Sequence, residues 1–294
     1  MIRIGIDFGG TKIEAAALGS TGNIIARERV PNPGSYDAAI AAVRDLVARV
    51  EGAQTGSVGI GVPGSISPKT AMIRNANSQW LNGKPFKQDI ERALGRPVRM
   101  ENDANCFALS EASDGAAAGA DVVFGAILGT GCGGGVVVRG RTLEGVNGIA
   151  GEWGHTPLPW PRNSEYPGNS CWCGRGSCLE TWISGTGFVE DYARDTGRRL
   201  TGAEIVALGD RDSEAVLDRY IDRLARGLAV ICDILDPDVI VLGGGMSNVE
   251  ALYGRLPGIV ARYAFTDVFE TKIVKAAHGD SSGVRGAAWL WPLE

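Results

Sequence analysis

The stretch that decides the fold lies at the start of the chain and reads Ile2-Arg3-Ile4-Gly5-Ile6-Asp7-Phe8-Gly9-Gly10-Thr11-Lys12. The apolar residues at 2, 4, 6 and 8 alternate with other types, which predicts a strand with one apolar face. A Gly/Thr turn follows at 9–11, and a return strand is predicted over 12–18. Asp7 therefore stands at the end of a buried strand, directly before a tight turn.

The same device occurs again near the middle of the chain. A strand is predicted over 122–128, and it runs into Gly129-Thr130-Gly131-Cys132-Gly133. The return strand is predicted over 135–139. Two copies of a strand, a Gly/Thr turn and a return strand indicate an internal duplication.

The rest of the chain reads as alternating strands and helices. Strands are predicted at 24–30, 58–62, 98–101 and 239–242, and helices at 36–50, from Asp103 to about 114, and over 217–235. Asp236-Pro237 ends the long helix, and Gly243-Gly244-Gly245 is expected to open the next one. Residues 151–180 read as irregular, and the run Gly115 to Gly119 is the best hinge candidate.

Composition narrows the class of protein. The chain has 294 residues, of which 44% are hydrophobic and 21% charged, as in a folded protein large enough for two domains. A net charge of −5 disfavours nucleic-acid binding. The chain contains no run of about 18 apolar residues, so no membrane helix is predicted. The first residues also lack the order of a signal peptide, in which charged residues precede an apolar stretch. We expect a cytoplasmic protein that binds no membrane and whose six cysteines are not a disulfide framework.

The glycine turns favour phosphate binding. Backbone N–H groups in such a turn can face an anion, Lys12 adds positive charge, and Asp7 could hold a hydrated Mg²⁺. Gly243 to Gly245 could let an adenine or ribose lie on the backbone. The alternative is that these turns only need glycine for packing. Neither the Rossmann nor the Walker A pattern is present.

One histidine and three cysteines form a candidate metal site. His155, Cys171, Cys173 and Cys178 offer one imidazole and three thiolates, a closed tetrahedral set that suits structural zinc. The alternatives are a redox pair or free buried thiols. A catalytic zinc is disfavoured because no position is left for water.

Three carboxylates are candidates for acid–base or sugar-binding roles. Asp103 follows a strand and starts a helix, where it could accept the proton of a substrate hydroxyl. Helix capping is the better interpretation from that context alone. Glu152 and Glu180 flank the cysteine stretch and could bind sugar hydroxyls or simply be solvated.

These motifs together resemble the ROK family, which comprises bacterial sugar kinases and sugar-responsive repressors. The resemblance rests on Asp7 to Lys12, Glu101-Asn102-Asp103-Ala104-Asn105, Gly129-Thr130-Gly131, Gly151-Glu152-Trp153-Gly154-His155 and Cys171-x-Cys173-Gly174-x-x-x-Cys178-x-Glu180. It covers essentially the whole chain. It implies the α/β actin-like ATPase (ribonuclease H-like) fold, with two domains and an interdomain cleft.

The resemblance also implies roles for particular residues. Asp103 would be the catalytic base, and zinc would be held by His155, Cys171, Cys173 and Cys178. The residues expected to bind the sugar are Gly64, Ser65, Asn77, Asn102, Asp103, Glu152, His155 and Glu180. Those expected to bind ATP with Mg²⁺ are Ile4, Gly5, Ile6, Asp7, Phe8, Gly9, Gly10, Thr11, Lys12, Thr130, Gly131, Cys132, Gly133, Gly134, Gly135, Val136, Gly243, Gly244 and Gly245.

The expected domains are 1–117 and 118–280, with 281–294 packing back on the first and a zinc loop at 151–180. The stretches 63–68, 75–83 and 278–292 resemble the fructokinases of the family, which implies phosphorylation of D-fructose to D-fructose 6-phosphate. Glucokinase, mannokinase and N-acetylglucosamine kinase are the alternatives. A sugar-sensing repressor is disfavoured because no DNA-binding helices precede Ile2, and a filament-forming ATPase is disfavoured by the zinc loop. We expect a monomer or a homodimer.

Overall fold

The computed structural model describes residues 2–292, with the side chain of Asp280 excepted. The chain divides into two units. Unit 1 comprises Met1–Gly119, Gly135–Ala150 and His278–Glu294, and unit 2 comprises Ala120–Gly134 and Gly151–Ala277. The segment 135–150, which the predicted limits assign to the second domain, therefore belongs to unit 1. The C-terminal segment also belongs to unit 1.

The strands in chain order are β1 (Arg3–Phe8), β2 (Lys12–Leu18), β3 (Ile24–Pro31), β4 (Ser57–Val62), β5 (Ser65–Ile66), β6 (Ile73–Arg74), β7 (Val98–Asn102), β8 (Val122–Leu128), β9 (Cys132–Val138), β10 (Arg141–Thr142), β11 (Val239–Gly243) and β12 (Lys272–Lys275). The helices are α1 (Tyr36–Glu51), α2 (Phe86–Leu94), α3 (Asp103–Asp114), α4 (Glu180–Ile183), α5 (Gly185–Thr196), α6 (Gly202–Leu208), α7 (Arg211–Leu235), α8 (Ala251–Tyr263) and α9 (Ser282–Trp289). Short 3₁₀ helices span Gln79–Leu81, Trp153–His155, Asn163–Glu165, Gly245–Asn248 and Gly279–Ser281.

Two five-stranded sheets have matching strand orders. The first runs β3-β2-β1-β4-β7 and the second β10-β9-β8-β11-β12. In the first, β1 is antiparallel to β2 and parallel to β4, and β4 is parallel to β7. In the second, β11 is parallel to both β8 and β12. The correspondence agrees with the internal duplication inferred from the repeated Gly/Thr turns.

The parallel strands of unit 1 determine where its polar residues meet. Asp7 pairs in register with Gly61 of β4, and Val62 of the same strand pairs with Asn102 of β7. The carboxyl ends of parallel strands lie at one edge of a sheet, which is where such folds bind ligands. Asp7 and the Asn102-Asp103 pair therefore lie at the same edge.

Helix α9 packs against the first sheet at very close range. A Cβ atom built on Gly5 of β1 would lie 1.8 Å from the carbonyl oxygen of Val284, and one on Gly59 of β4 would lie 1.8 Å from that of Ala287. No side chain fits in that space, so glycine is required on both strands. The apolar side chains of α1, namely Ala39, Val43, Leu46, Val47 and Val50, are buried in a core with Ile4, Ile6 and Ile60, whereas Val284 and Ala288 of α9 pack with Ala16 and Leu18.

Unit 2 is organised around the long helix α7. Its amino end is capped by Asp210, whose side chain accepts a hydrogen bond from the backbone N–H of Ser213 at 2.8 Å. Its carboxyl end has Asp236 in the left-handed conformation, with φ of 45°, and Pro237 follows. In the sheet, Gly243 of β11 pairs with Ile127 of β8. The turn after β8 and the glycine run after β11 therefore lie at one edge.

Three predicted starts are wrong. Helix α7 begins at Arg211, six residues before the predicted limit of 217. Strand β9 begins at Cys132, three residues before the predicted start, since pairing in the sheet overrides the low strand propensity of consecutive glycines. The Gly243 run opens a 3₁₀ helix at Gly245–Asn248, and α8 starts only at Ala251. Over residues 2–292, no helix combines the length and apolar character that crossing a membrane requires.

Candidate active site

The hairpin between β1 and β2 presents an open glycine turn. The backbone N–H of Gly9 donates to the carbonyl oxygen of Lys12 at 3.0 Å. The side-chain amide of Asn32, which follows β3, donates to the carbonyl oxygen of Gly9 at 2.7 Å and so anchors the turn. Gly10 and Thr11 are exposed, and a Cβ atom on Gly10 would have only the Ser78 hydroxyl near it, at 3.8 Å. This turn can therefore accommodate a phosphate.

Asp7 lies beside this turn in a strongly anionic setting. Burial raises the pKa of Asp7 to about 6, and the negative charges of Asp103 and Glu14 add to the rise, while Lys12 opposes it. The α-carbon of Gly283 is also close, since a Cβ atom there would lie 3.0 Å from Asp7 Oδ2. Carboxylates that repel each other in this way fit a hydrated Mg²⁺, which would relieve the repulsion.

The other residues of β1 that were expected at the nucleotide have a packing role. The side chains of Ile4, Ile6 and Phe8 are no more than 1% exposed and lie in the core. Gly5 provides the close approach of α9. Packing therefore accounts for these four residues, and their expected role at the nucleotide stays a prediction.

Asn102 and Asp103 share the amino end of α3. Asn102 occupies the N-cap position, and the Ala104 backbone N–H is shared between Asn102 Oδ1 and Asp103 Oδ1, at 2.8 Å to each. The Asn102 amide donates to the carbonyl oxygen of Gly64 at 2.8 Å. Asp103 is the first residue of the helix and is exposed. The main cap is thus Asn102, so capping alone does not explain the aspartate at 103.

The first sugar-binding candidates surround a left-handed turn after β4. Gly64 has φ of 77°, and a Cβ atom there would lie 2.3 Å from the carbonyl oxygen of Arg74. The Ser65 hydroxyl accepts a hydrogen bond from Arg74 Nε at 3.1 Å. Asn77 is exposed. The structure thus brings Gly64 and Ser65 to Asn102, whereas it gives Asn77 no such partner among the described contacts.

A buried carboxyl at the end of β7 was missed by sequence reasoning. Burial raises the pKa of Glu101 to about 7, the Asn105 amide opposes the rise, and the carboxyl of Glu144 adds to it. Asn105 Nδ2 donates to Glu101 Oε2 at 2.7 Å. The available signal was a charged residue at the end of a predicted strand, next to the Asn102-Asp103 pair.

The hairpin after β8 is the second glycine turn. The Gly129 N–H donates to the Gly131 carbonyl oxygen at 3.0 Å, and the Gly185 N–H at the start of α5 donates to the Gly129 carbonyl oxygen at 2.7 Å. The Thr186 hydroxyl donates to the Thr130 carbonyl oxygen at 2.8 Å. A Cβ atom on Gly129 would meet nothing within 4 Å. The turn is thus anchored by α5 and open on one side.

The glycines further along β9 pack against other elements. The Gly133 carbonyl oxygen accepts a hydrogen bond from the Trp153 indole at 2.9 Å. A Cβ atom on Gly134 would lie 2.8 Å from a carbon of that indole, and one on Gly135 would lie 2.3 Å from the Ala104 carbonyl oxygen. Val136 is buried. Packing accounts for residues 134–136, and their expected role in binding ATP stays a prediction.

Two glycines of the run after β11, Gly244 and Gly245, are exposed. Gly243 is buried at the strand end. Gly244 has φ of 79°, and a Cβ atom on it would lie 2.6 Å from the Leu128 carbonyl oxygen. A Cβ atom on Gly245 would meet nothing within 4 Å. Gly245 is therefore the residue of this run best able to contact an adenosine.

The four predicted metal ligands converge in unit 2. The side-chain ligand atoms of His155, Cys171, Cys173 and Cys178 all lie within 4.8 Å of one another. The sulfurs of Cys173 and Cys178 are 3.6 Å apart, and that of Cys171 is 3.7 Å from His155 Nδ1. Tetrahedral zinc at its usual bond lengths gives edges of about 3.6–3.8 Å. The residues fit zinc, and all six cysteines are free thiols.

Glu180 connects the second hairpin to this cluster. It is the first residue of α4, and its Oε2 accepts a hydrogen bond from the backbone N–H of Cys132 at 2.9 Å. Its Oε1 accepts one from the Trp172 indole at 2.7 Å. Glu152 is exposed, and its carbonyl oxygen accepts a hydrogen bond from the His155 N–H at 3.2 Å. Unit 2 thus brings Glu152, His155 and Glu180 to one region.

A buried ion-pair network, also missed from the sequence, supports the loop that carries His155. Arg226 of α7 donates to both carboxylate oxygens of Glu165, at 2.8 and 3.0 Å. It also donates to the carbonyl oxygens of Pro159 and Trp160. Arg223, one turn earlier, donates to Glu165 Oε1 at 2.7 Å. Arg223 also pairs with Asp191, and Arg226 with Asp222, so each guanidinium group has a further carboxylate partner inside unit 2. The network holds the irregular segment against α7.

Comparison with known proteins gives the family. The ROK family model matches residues 3–294. An N-acetyl-D-glucosamine kinase of Salmonella paratyphi C is 41% identical over 296 residues, covering 97% of this chain and 98% of that protein. One of Photobacterium profundum is 40% identical over the same coverage.

Two solved structures are similar along their whole length. The ROK hexokinase of Thermus thermophilus has a TM-score of 0.87 at 32% identity, covering 99% of this chain and 97% of that one. A ROK glucokinase of Streptomyces griseus, solved with glucose and AMPPNP, has a TM-score of 0.79 at 28% identity, covering 98% of both chains.

Fold and relatives together define a two-domain α/β kinase with the actin-like ATPase fold, which confirms the predicted fold class. The chain belongs to the ROK family, and it is a sugar kinase of that family. The preference for fructose finds no support in these relatives, whose names include N-acetylglucosamine, an alternative considered from the sequence.

Proposed function

We propose that this protein transfers the γ-phosphoryl group of ATP to the 6-hydroxyl of a hexose, with Asp103 as general base. The observation that carries the proposal is the position of Asp103 at the exposed start of α3, close enough to Asp7 to raise the pKa of that carboxyl. Asn102 occupies the N-cap, so the Asp103 carboxylate is oriented by the helix without being its main cap.

The chemistry follows from these positions. The Asp103 carboxylate accepts the proton of the sugar hydroxyl, the hydroxyl oxygen forms a bond to the γ-phosphorus, and the bond from that phosphorus to the ADP oxygen breaks. The open turns at Gly10 and Gly129 would hold the phosphates, and Gly245 would face the adenosine. Mg²⁺, when bound with ATP near Asp7, supplies positive charge that offsets the phosphate charge.

Unit 2 supplies three of the proposed sugar contacts. The carboxylates of Glu152 and Glu180 would accept hydrogen bonds from sugar hydroxyls. The ring of His155 would donate or accept one. Zinc held by His155 and the three cysteines would fix the loop and orient the histidine through its coordinated ring. Because all four ligand positions are protein side chains, the metal is structural in this proposal.

For the sugar, N-acetyl-D-glucosamine is the first candidate. It rests on the relatives at 40–41% identity over 97% of the chain. D-Fructose is the second candidate, and it rests on the resemblance of residues 63–68, 75–83 and 278–292 to the fructokinases of the family. One hydroxyl or acetamido difference can change a specificity constant by orders of magnitude, so the two sugars are separable by kinetics.

The experiment is an ADP-release assay with metal-replete protein. N-acetylglucosamine, fructose, mannose and glucose are compared at equal concentrations, and each product is identified by NMR. We expect sugar-dependent turnover and a 6-phosphate product. Asp103→Asn serves as the inactive control. ATP turnover that does not depend on any sugar would refute the kinase assignment, and the sugar with the highest kcat/KM decides between the two candidates.

Two expectations about the setting accompany this proposal. An enzyme that consumes ATP is expected in the cytoplasm, where ATP is made. The chain is expected to be a monomer or a homodimer, which light scattering coupled to size-exclusion chromatography would measure.

A further inference from the structure

Trp172 is a large apolar side chain in an unusual position. It lies between Cys171 and Cys173 in the metal-binding loop and is 70% exposed. Single exposed apolar side chains are common on protein surfaces, so the exposure of this indole alone indicates no function. Its polar atom is nevertheless engaged, because Nε1–H donates to Glu180 Oε1 at 2.7 Å.

That hydrogen bond determines the orientation of the Glu180 carboxylate. The other oxygen, Oε2, accepts from the Cys132 backbone N–H at 2.9 Å. Two donors on opposite oxygens hold the carboxylate plane in one rotamer. A carboxylate has about four acceptor positions, so Glu180 retains the capacity to accept hydrogen bonds from a sugar.

The same indole also contacts the histidine of the metal cluster. The rings of Trp172 and His155 are 5.1 Å apart between centroids, with an interplanar angle of 80°. This edge-to-face contact is a favourable geometry for aromatic rings. One exposed side chain thus touches two residues that are proposed to bind the sugar.

We propose that Trp172 is a positioning residue for the sugar, acting through Glu180 and His155. The inference rests on the proposed sugar kinase function. Trp172 orients the Glu180 carboxylate through its N–H and restricts the His155 ring through its edge. Its exposure is then explained, since the residue must reach the face on which these two side chains meet the substrate.

The test separates the N–H from the ring. Trp172→Phe keeps an aromatic edge and removes the donor, whereas Trp172→Leu removes both. Loss of one hydrogen bond to a charged group should raise KM for the sugar by about tenfold in Trp172→Phe, and further in Trp172→Leu. KM for ATP should stay within about twofold of the wild-type value, since the nucleotide is not bound by Glu180 in this proposal.

Trp160→Phe is the matched control. Trp160 is 51% exposed and belongs to the same unit, but its ring stacks on Tyr263 at a centroid distance of 5.5 Å. Its sugar KM should stay unchanged. Sugar titration monitored by intrinsic fluorescence gives a second readout, in which the signal change of the wild type should be lost in Trp172→Phe and kept in Trp160→Phe.

An active wild type together with an unchanged sugar KM in Trp172→Phe would overturn the inference and leave the kinase assignment intact. So would a Trp172→Phe protein that loses zinc or melts at a lower temperature, because the residue would then hold the loop rather than the substrate side chains. A wild type that neither binds nor phosphorylates any sugar would overturn the proposed function and this inference with it.

Discussion

Replacing Arg226 with methionine should strongly destabilise unit 2. The side chains of Arg226 and Glu165 are 1% and 3% exposed, and the guanidinium donates to Glu165 and to the carbonyl oxygens of Pro159 and Trp160. Methionine fills a similar volume but donates no hydrogen bond. Glu165 would keep only Arg223 as a charged partner.

The magnitude follows from what would be left unpaired. Breaking a buried ion pair by removing one partner costs about 3–5 kcal/mol. Two carbonyl oxygens that lose their donor add to the cost, so a value near 4 kcal/mol is expected, which lowers Tm by about 10 °C in a protein of this size. Burial alone would raise the pKa of Glu165, but hydrogen bonds from Arg226, the Arg162 amide and Arg223 lower it to about 2.

The lowered pKa of Glu165 determines how the Tm difference between wild type and Arg226→Met depends on pH. A carboxylate with a lowered pKa in the folded protein stabilises it above its ordinary pKa and loses that effect only as pH falls from about 4.5 toward 2. The Tm difference between wild type and Arg226→Met should therefore be the same at pH 5.5 and pH 8. Differential scanning calorimetry on zinc-replete protein measures it.

Arg219→Met is the control on the same helix. Arg219 also pairs with carboxylates, Asp191 and Asp195, but its side chain is 33% exposed, so its loss should cost no more than about 1 kcal/mol. An Arg226→Met protein that melts within 2 °C of wild type, on the order of 1 kcal/mol, would refute the reasoning. So would an Arg219→Met protein as unstable as Arg226→Met.

Three further predictions concern the proposed site. Asp103→Asn keeps the shape but cannot accept a proton, so kcat should fall by about 10²–10⁴-fold with sugar binding retained; near-normal turnover in the ADP-release assay would assign the base elsewhere. Cys178→Ser should reduce zinc below the expected one ion per chain and lower Tm, whereas Cys232→Ser, outside the cluster, should keep the metal in elemental analysis. Because the folded pKa of Asp7 is raised to about 6, ligand-free protein loses stability as pH rises through 6. Asp7→Asn should be inactive, because the proposed Mg²⁺ ligand is lost. It should also be more stable than wild type by about 1–2 kcal/mol at pH 8, with a smaller difference in stability at pH 5.5; equal Tm values at pH 8 would contradict this.

The elements that could be predicted have a regular spacing of apolar residues or a residue that ends a helix. Strands β1 and β2 and helix α1 follow from alternation and from a stripe of apolar residues, and they lie within one residue of their expected limits. The carboxyl end of α7 follows from Asp236-Pro237. The starts of β9 and α8 could not be predicted, because glycine runs carry no period and their pairing is decided by the sheet.

For the candidate site, the sequence predicts groups that are close along the chain. The four metal ligands are recognisable because three of them fall within eight positions. The partners of Glu180 are different, since Cys132 is 48 residues away and nothing in the spacing indicates a contact. Arg226 and Glu165, 61 residues apart, are a similar case: a charge pattern on a helix does not tell which residues become buried.

In unit 1, Asp7 and Asp103 both lie at the carboxyl edge of the parallel strands. Burial is the main reason why the pKa of Asp7 is raised to about 6, and the negative charge of Asp103 adds to the rise. Burial alone would favour a neutral side chain at position 7. Under the proposed function, a cation would relieve the repulsion at Asp7, and the proton of a sugar hydroxyl would neutralise Asp103. Phosphoryl transfer from a Mg²⁺–nucleotide complex to a sugar would bring both partners at once, which supports the proposal that Asp7 faces the cation and Asp103 accepts the hydroxyl proton.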